Sequence, residues 1–447
     1  MRWLSGALGC TPLAQYRTNY QPCVSADMGR DCADRAIQEY RPTPGQTPGF
    51  SLGFIEFDDQ GQLFDRTQMY AVLDYIGRHA AEDDFLAVVY VHGWKHNAHE
   101  GDDNIGHFRD ALLRLSATEA ALSQAQGRSA RRVLGLYLGW RGASLSIPVL
   151  ENLSFWDRKN TAHKVGHGQV TEALIRLDQL RQTRDAESPT GQSRSRLIVV
   201  GHSFGGAVLY SALEQILEER FVRTASGAAT DADVVGFGNL VVLINPAFEA
   251  LLYSPLSDMA TERASYFASQ LPVLAILTSE ADDATRVAFP IGRWLATRFE
   301  KERTQLRRNP ISQQIERIRE RDTNITAVGH FAPYRTHMLQ ATTASDPEAV
   351  RARPAGERAQ SVLRVAENWE SDEPGSQISF PGSLLTRSRD SAGRNPYLVV
   401  GVDRALIPDH DRIWDPRIES FVSHLILVSS QSGDLQQRRT ERRHASK

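Results

Sequence analysis

Nothing in this 447-residue sequence approaches the roughly 20 consecutive apolar residues that a membrane-spanning helix needs. Its apolar runs are strand-sized and bounded by Gly, His or polar residues. It also lacks a charge excess: 51 Lys and Arg stand against 54 Asp and Glu, a formal net charge of −3 with a pI near 6.5. Without a basic surplus there is no electrostatic footprint for nucleic acid, and none is expected as a partner. There is no internal repeat, and the 3 cysteines all fall within the first 32 positions. What is present is 41% hydrophobic and 23% charged residues, which excludes a disordered or collagenous chain and suits one large or two medium domains.

Residues 1–49 read as a lead segment. Arg2 precedes a short apolar run, and Ala7-Leu8-Gly9-Cys10 resembles the end of a bacterial lipoprotein signal. That resemblance implies acylation of Cys10, membrane association through the acyl chain and residence in the cell envelope. Such signals run about 15–30 residues, so translation would begin upstream of Met1. Cys23 and Cys32 then remain as an even pair that an oxidising compartment can join. The other reading is three unpaired thiols in a cytoplasmic protein. Pro12, Pro22, Pro42, Pro44 and Pro48 make 10–50 an extended stretch that wraps the next domain instead of packing as a unit.

Residues 50–57 and 62–64 flank Asp58-Asp59-Gln60-Gly61 and suggest a hairpin, followed by a helix from Thr67. Strand-like runs at 85–91, 132–138, 196–200, 240–244 and 273–277 then alternate with helical stretches at 104–125, 162–181 and 205–219. This alternation predicts an α/β fold, a mostly parallel central sheet with helices on both faces. Unbroken runs such as Leu197-Ile198-Val199-Val200 mark central strands. The core spans 50–285. Residues 286–395 read as an insertion or lid-like region before the last strand, opening with a charged helix over 299–322. Residues 396–431 supply that strand, a loop and a closing helix, and 432–447 form a basic disordered tail.

The strongest signal is Gly201-His202-Ser203-Phe204-Gly205-Gly206, between strand 196–200 and the helix after it, the setting of a nucleophile elbow. A turn this sharp strains the nucleophile's backbone, and Gly201 and Gly205 remove side chains that would strike the strand and helix. The helix N-terminus beside Ser203 favours a developing negative charge. Upstream, strand 85–91 ends in His92-Gly93-Trp94, similar to the His-Gly step that contributes to the oxyanion hole of lipases and esterases.

With these motifs the chain resembles the α/β-hydrolase superfamily of serine hydrolases, over roughly 85–277 and 397–428. The resemblance implies backbone N–H donors at Trp94 and Phe204 and a nucleophile, acid, histidine order. In the turn after 273–277 Asp282 fits the acid best, ahead of Asp283 and Glu280. His410, after the last strand, fits the base, ahead of His330; His337 and His424 are further candidates, and His202 contacts neighbouring loops. His92, His96, His99 and Asp102 cluster in one loop without a His-Glu-x-x-His spacing and read as a polar loop, so no metal and no cofactor are expected.

The aromatic stretch 139–159 either lines an acyl site or lid or covers the sheet edge, with Phe289, Trp294 and Leu295 as a facing wall. The function implied is cleavage of carboxylic esters, of small molecules or lipids, through an acyl-enzyme on Ser203. The alternatives are a thioesterase or amidase with the same residues, or a non-catalytic binding protein on the same fold.

Overall fold

The computed structural model describes residues 14–27, 30–42, 48–142, 159–188, 193–225, 233–290, 293, 301–342, 346–371 and 373–431. The signal-like residues 1–10, most of the aromatic stretch 139–159, Trp294, Leu295 and the tail 432–447 lie outside the described residues.

The described chain is α/β, built on a twelve-stranded sheet. Its elements begin with β1 (Cys23–Ser25), β2 (Ile37–Tyr40), β3 (Phe50–Glu56), α1 (Arg66–Glu82), β4 (Phe85–Val91), α2 (Asp103–Ala125) and β5 (Arg132–Gly139). They continue with α3 (Thr171–Glu187), β6 (Arg196–His202), α4 (Phe204–Ala225), β7 (Leu240–Ile244), α5 (Ala250–Arg263) and β8 (Leu274–Ser279). A hairpin of β9 (Thr304–Arg308) and β10 (Ile315–Arg319) is followed by α6 (Glu320–Ile325), β11 (His337–Ala341), α7 (Pro347–Arg351) and α8 (Ala355–Glu367). The chain closes with β12 (Gln377–Phe380), β13 (Ser383–Arg387), β14 (Tyr397–Val402) and α9 (Pro416–Ser429).

The sheet order is β1-β2-β3-β5-β4-β6-β7-β8-β14-β11-β13-β12. Every pairing from β3 to β11 is parallel. Antiparallel pairs join β2 to β3 at one margin and β13 to both β11 and β12 at the other. The unbroken apolar runs are explained by helices on both faces. Along β4, Phe85, Ala87, Val89 and Val91 join the core shared with α1, α3, α4 and α5. Leu86, Val88 and Tyr90 join the opposite core with α2, α8 and α9. A strand covered on both faces leaves no position for a polar residue.

Three expectations are corrected. The lead segment is not merely wrapped around the domain: it supplies β1 and β2, and Cys23 and Cys32 are disulfide-bonded with Cα atoms 5.8 Å apart. Its prolines act as punctuation, Pro22 directly before β1 and Pro48 just before β3, positions that tolerate a missing N–H. Residues 50–64 are not a two-stranded hairpin. Both edges of β3 are taken by β2 and β5, only an isolated bridge joins Phe57 to Leu63, and Asp65 caps α1 so the chain turns away.

The charged helix expected over 299–322 is largely the β9–β10 hairpin. Pro310 would break a helix interior, and Asn309 Oδ1 instead accepts the Ile311 and Ser312 amides to close a turn. Finally, the region 286–395 read as an insertion or lid-like region falls between β8 and β14, which pair directly, and it contributes strands to the sheet. Its β11, β13 and β12 extend the sheet beyond β14, and Arg358 at the start of α8 donates to Thr118 of α2.

Candidate active site

β6 ends at His202 and α4 begins at Phe204, leaving Ser203 alone at the turn with φ of +55°. Only tight surroundings hold a serine in that left-handed region. The Ser203 N–H donates to Ile244 O at 2.9 Å, and Ser203 O accepts from Ala247 N at 3.2 Å. The flanking glycines have steric reasons: a Cβ on Gly205 would lie 2.1 Å from Val91 O, and one on Gly201 would lie 2.8 Å from Gly205 O.

His410 lies in the loop between β14 and α9. Its carbonyl accepts from His202 Nε2 and from Asn245 Nδ2, each at 3.0 Å, which holds the loop over the turn. Ser203 Oγ then sits 2.6 Å from His410 Nε2, and His410 Nδ1 sits 2.8 Å from Asp282 Oδ1. Because the carboxylate only accepts, Nδ1 carries the ring proton and Nε2 is the acceptor for the serine hydroxyl.

Asp282 is fully buried beyond the end of β8. Its Oδ1 also accepts from Thr285 N at 3.1 Å, its Oδ2 accepts from the Thr285 hydroxyl, and Thr285 Oγ1 lies 2.9 Å from His330 Nε2. A carboxylate with this many donors is fixed in orientation. Burial by itself would raise its pKa, but the His410 charge and these hydrogen bonds hold it below the usual carboxylate value. Burial would lower the His410 pKa; the facing Asp282 overrides it, helped by Asp411 and Asp409, and holds the imidazole above its ordinary value.

The competing candidates are placed elsewhere. Asp283 is 72% exposed and pairs with Arg286, and Glu280 is exposed. His330 reaches Asp282 only through Thr285. His337 is buried against Glu370 at 2.5 Å, and His424 bonds Ser420 O within α9 at 2.7 Å. His202 is pushed down to about 3, by burial first and by His410 second, and stays neutral as a donor to the loop. Phe289 is buried at the margin of the described segment.

The His92-Gly93-Trp94 step passes directly beside the serine: a Cβ on Gly93 would lie 2.9 Å from Ser203 Cβ. His92 holds this step, since its Nδ1 bonds Gly93 O at 2.9 Å and its Nε2 accepts from Trp140 N at 3.1 Å. Phe204 opens α4, so its amide belongs to the helix N-terminus. Phe204 thus adjoins Ser203 in the first turn of α4, and Gly93, directly before Trp94, passes beside it.

The loop histidines have local partners: His96 Nδ1 bonds Asp102, which caps α2, and His99 Nδ1 accepts from Gly101 N. Elsewhere His202, His410 and Asp411 bring ligand-type atoms within 4.8 Å of one another. Both His410 ring nitrogens are engaged by Ser203 and Asp282, so this trio does not offer a ready ligand set. Sequence reasoning missed Asn245 and Thr285. The signals were slight: a polar Asn ending the apolar run of β7, and a Thr three residues after the acid. No family model matches the chain, and no curated protein does.

Proposed function

We propose that this protein is a serine hydrolase of the α/β-hydrolase superfamily that cleaves carboxylic esters through an acyl-enzyme on Ser203. The observation that carries the reading is the unbroken chain from Ser203 Oγ to His410 Nε2 at 2.6 Å and from His410 Nδ1 to Asp282 at 2.8 Å. Its placement after β6, β8 and β14 supports the superfamily assignment.

In this reading Ser203 Oγ attacks the acyl carbonyl as His410 Nε2 takes its proton. Asp282 keeps the imidazole in the productive tautomer and stabilises its charged form. The backbone amides of Trp94 and Phe204 receive the oxyanion, an interaction typically worth on the order of 10² to 10³ in turnover per donor. His410 returns the proton to the leaving alcohol, and water, deprotonated by the same histidine, releases the acid. No metal or cofactor takes part. The substrate is a small-molecule or lipid ester; thioesters and amides use the same groups, and a panel of the three bond types ranks them.

The test is labelling by a fluorophosphonate probe, with hydrolysis of short p-nitrophenyl esters. Wild type labels and turns over. Ser203→Ala loses labelling and drops turnover by roughly 10⁴-fold or more. An unreactive, folded wild type would overturn the proposal, leaving a non-catalytic binding protein.

A further inference from the structure

The β9–β10 hairpin forms its own two-stranded sheet, outside the central one. Its two faces differ sharply. On the inward face Arg307 is buried, with Nη1 3.1 Å from Asp258, Nη2 2.7 Å from Glu316, and a further bond to Pro333 O at 3.3 Å. Ile318 is buried beside it. The outward face carries Leu306 and Ile315, 64% and 67% exposed, the two most exposed large hydrophobic side chains among the described residues.

Each of these sits directly across the ladder from an arginine, Leu306 from Arg317 and Ile315 from Arg308. The two aliphatic side chains are therefore diagonal neighbours framed by guanidinium groups. No outward position of either strand is acidic, because Glu316 points inward to Arg307. Arg308 bonds Gln313 at 2.7 Å, and among the described residues neither Arg308 nor Arg317 has a carboxylate within salt-bridge distance. Ile311, 40% exposed, lies in the turn beside the cavity that Arg307 and Glu316 line on the inward side.

We propose that this outward face docks the protein on an anionic phospholipid surface. The cavity that the hairpin borders lies on its other side, lined by Arg307, Glu316 and the 309–311 turn. The outward mixture of aliphatic side chains and uncompensated arginines matches a bilayer interface, where apolar groups enter the acyl boundary and cations meet phosphate. On its inward side the hairpin is held by Arg307 to Pro333, three residues after His330. The docking itself does not rest on the hydrolase reading, because it is measured as binding.

The test uses the full chain carrying Cys10→Ser, so that no acyl chain at that position contributes. Partition is measured by sedimentation with vesicles of phosphatidylcholine alone or with about one third phosphatidylglycerol. Binding to the anionic vesicles, weakened by salt and absent with phosphatidylcholine alone, is expected. Arg308→Gln with Arg317→Gln lowers the partition coefficient about 20-fold, roughly five-fold per arginine. Leu306→Ser with Ile315→Ser lowers it at least tenfold, with circular dichroism unchanged. The proposal is overturned if the parent chain stays in the supernatant at low salt, or if both double variants sediment as the parent does. Dimerisation abolished by Leu306→Ser with Ile315→Ser, without vesicle binding, also overturns it and assigns the face to a second copy of the chain.

Discussion

At the scale of single residues, the proposed hydrolysis makes proton occupancy on His410 the controlling variable. The imidazole must be neutral to accept the Ser203 proton, and Asp282 holds its pKa above 6.5. In wild type kcat/KM therefore falls about tenfold per pH unit below that raised pKa and is flat above it. Asp282→Asn removes the main opposing charge, leaving burial opposed only by the weaker effects of Asp411 and Asp409. The acid limb then moves to lower pH, while the plateau drops by about 10⁴ because the tautomer is no longer held. A pH–rate profile of both proteins checks direction and size, and an unmoved limb would deny Asp282 its role. Thr285 acts through Asp282: Thr285→Val removes the hydroxyl that donates to Oδ2. A lost hydrogen bond to a charged group, about 1.5–3 kcal/mol, predicts a fall in kcat of roughly 10- to 100-fold with KM unchanged. Thr285→Ser restores it, which a purely steric role would not produce.

At the scale of elements, the site depends on how closely backbones approach. Gly205 sits so near β4 that Gly205→Ala forces α4 away from Val91 O, where no flexible side chain can yield. The expected outcome is loss of soluble protein or a drop in stability above about 4 kcal/mol, read by denaturant unfolding. The disulfide acts on a margin instead. Cys23–Cys32 ties β1 to the turn before β2, at the outermost edge of the sheet and several strands from Ser203. Its reduction is expected to speed hydrogen exchange over 23–40 while leaving probe labelling intact. Equal loss of protection in β6 would show that the edge is coupled to the centre.

At the scale of the whole molecule, the pH dependence of stability has a strong source outside the site. Glu119 of α2 is fully buried and bonds Arg131 and Arg128, just before β5. Burial opposes its ionisation, but the two guanidinium groups hold its pKa down to about 2. A depressed folded-state value means the stabilisation is complete above the ordinary glutamate range and is lost as pH falls from about 5 toward 2. The shift corresponds to about 3 kcal/mol. Glu119→Gln should reduce the slope of urea midpoints across the range, the remainder coming from other buried, paired carboxylates such as Asp178, Glu249 and Glu370; a variant with the wild-type slope would assign the acid sensitivity elsewhere. Arg131 also reaches Ser430 Oγ at 3.4 Å, so the same cluster joins α2 to the chain after α9.

The sequence alone determined the strands whose two faces are both buried. β4 and β7 coincide with their apolar runs, and β6 and β8 differ only at their ends, because solvent exclusion leaves one kind of residue to fill such positions. It also marked Ser203, since the turn around it has a local steric code. The β9–β10 hairpin stayed hidden because its exposed, charged residues fit a helix as readily as a ribbon. The selection of Asp282 from three neighbouring carboxylates, and of His410 from 13 histidines, was decided only by tertiary structure. Asp282 lies 128 and Ser203 207 positions from His410 along the chain, and only the parallel order of β6, β7, β8 and β14 brings their loops to one edge of the sheet.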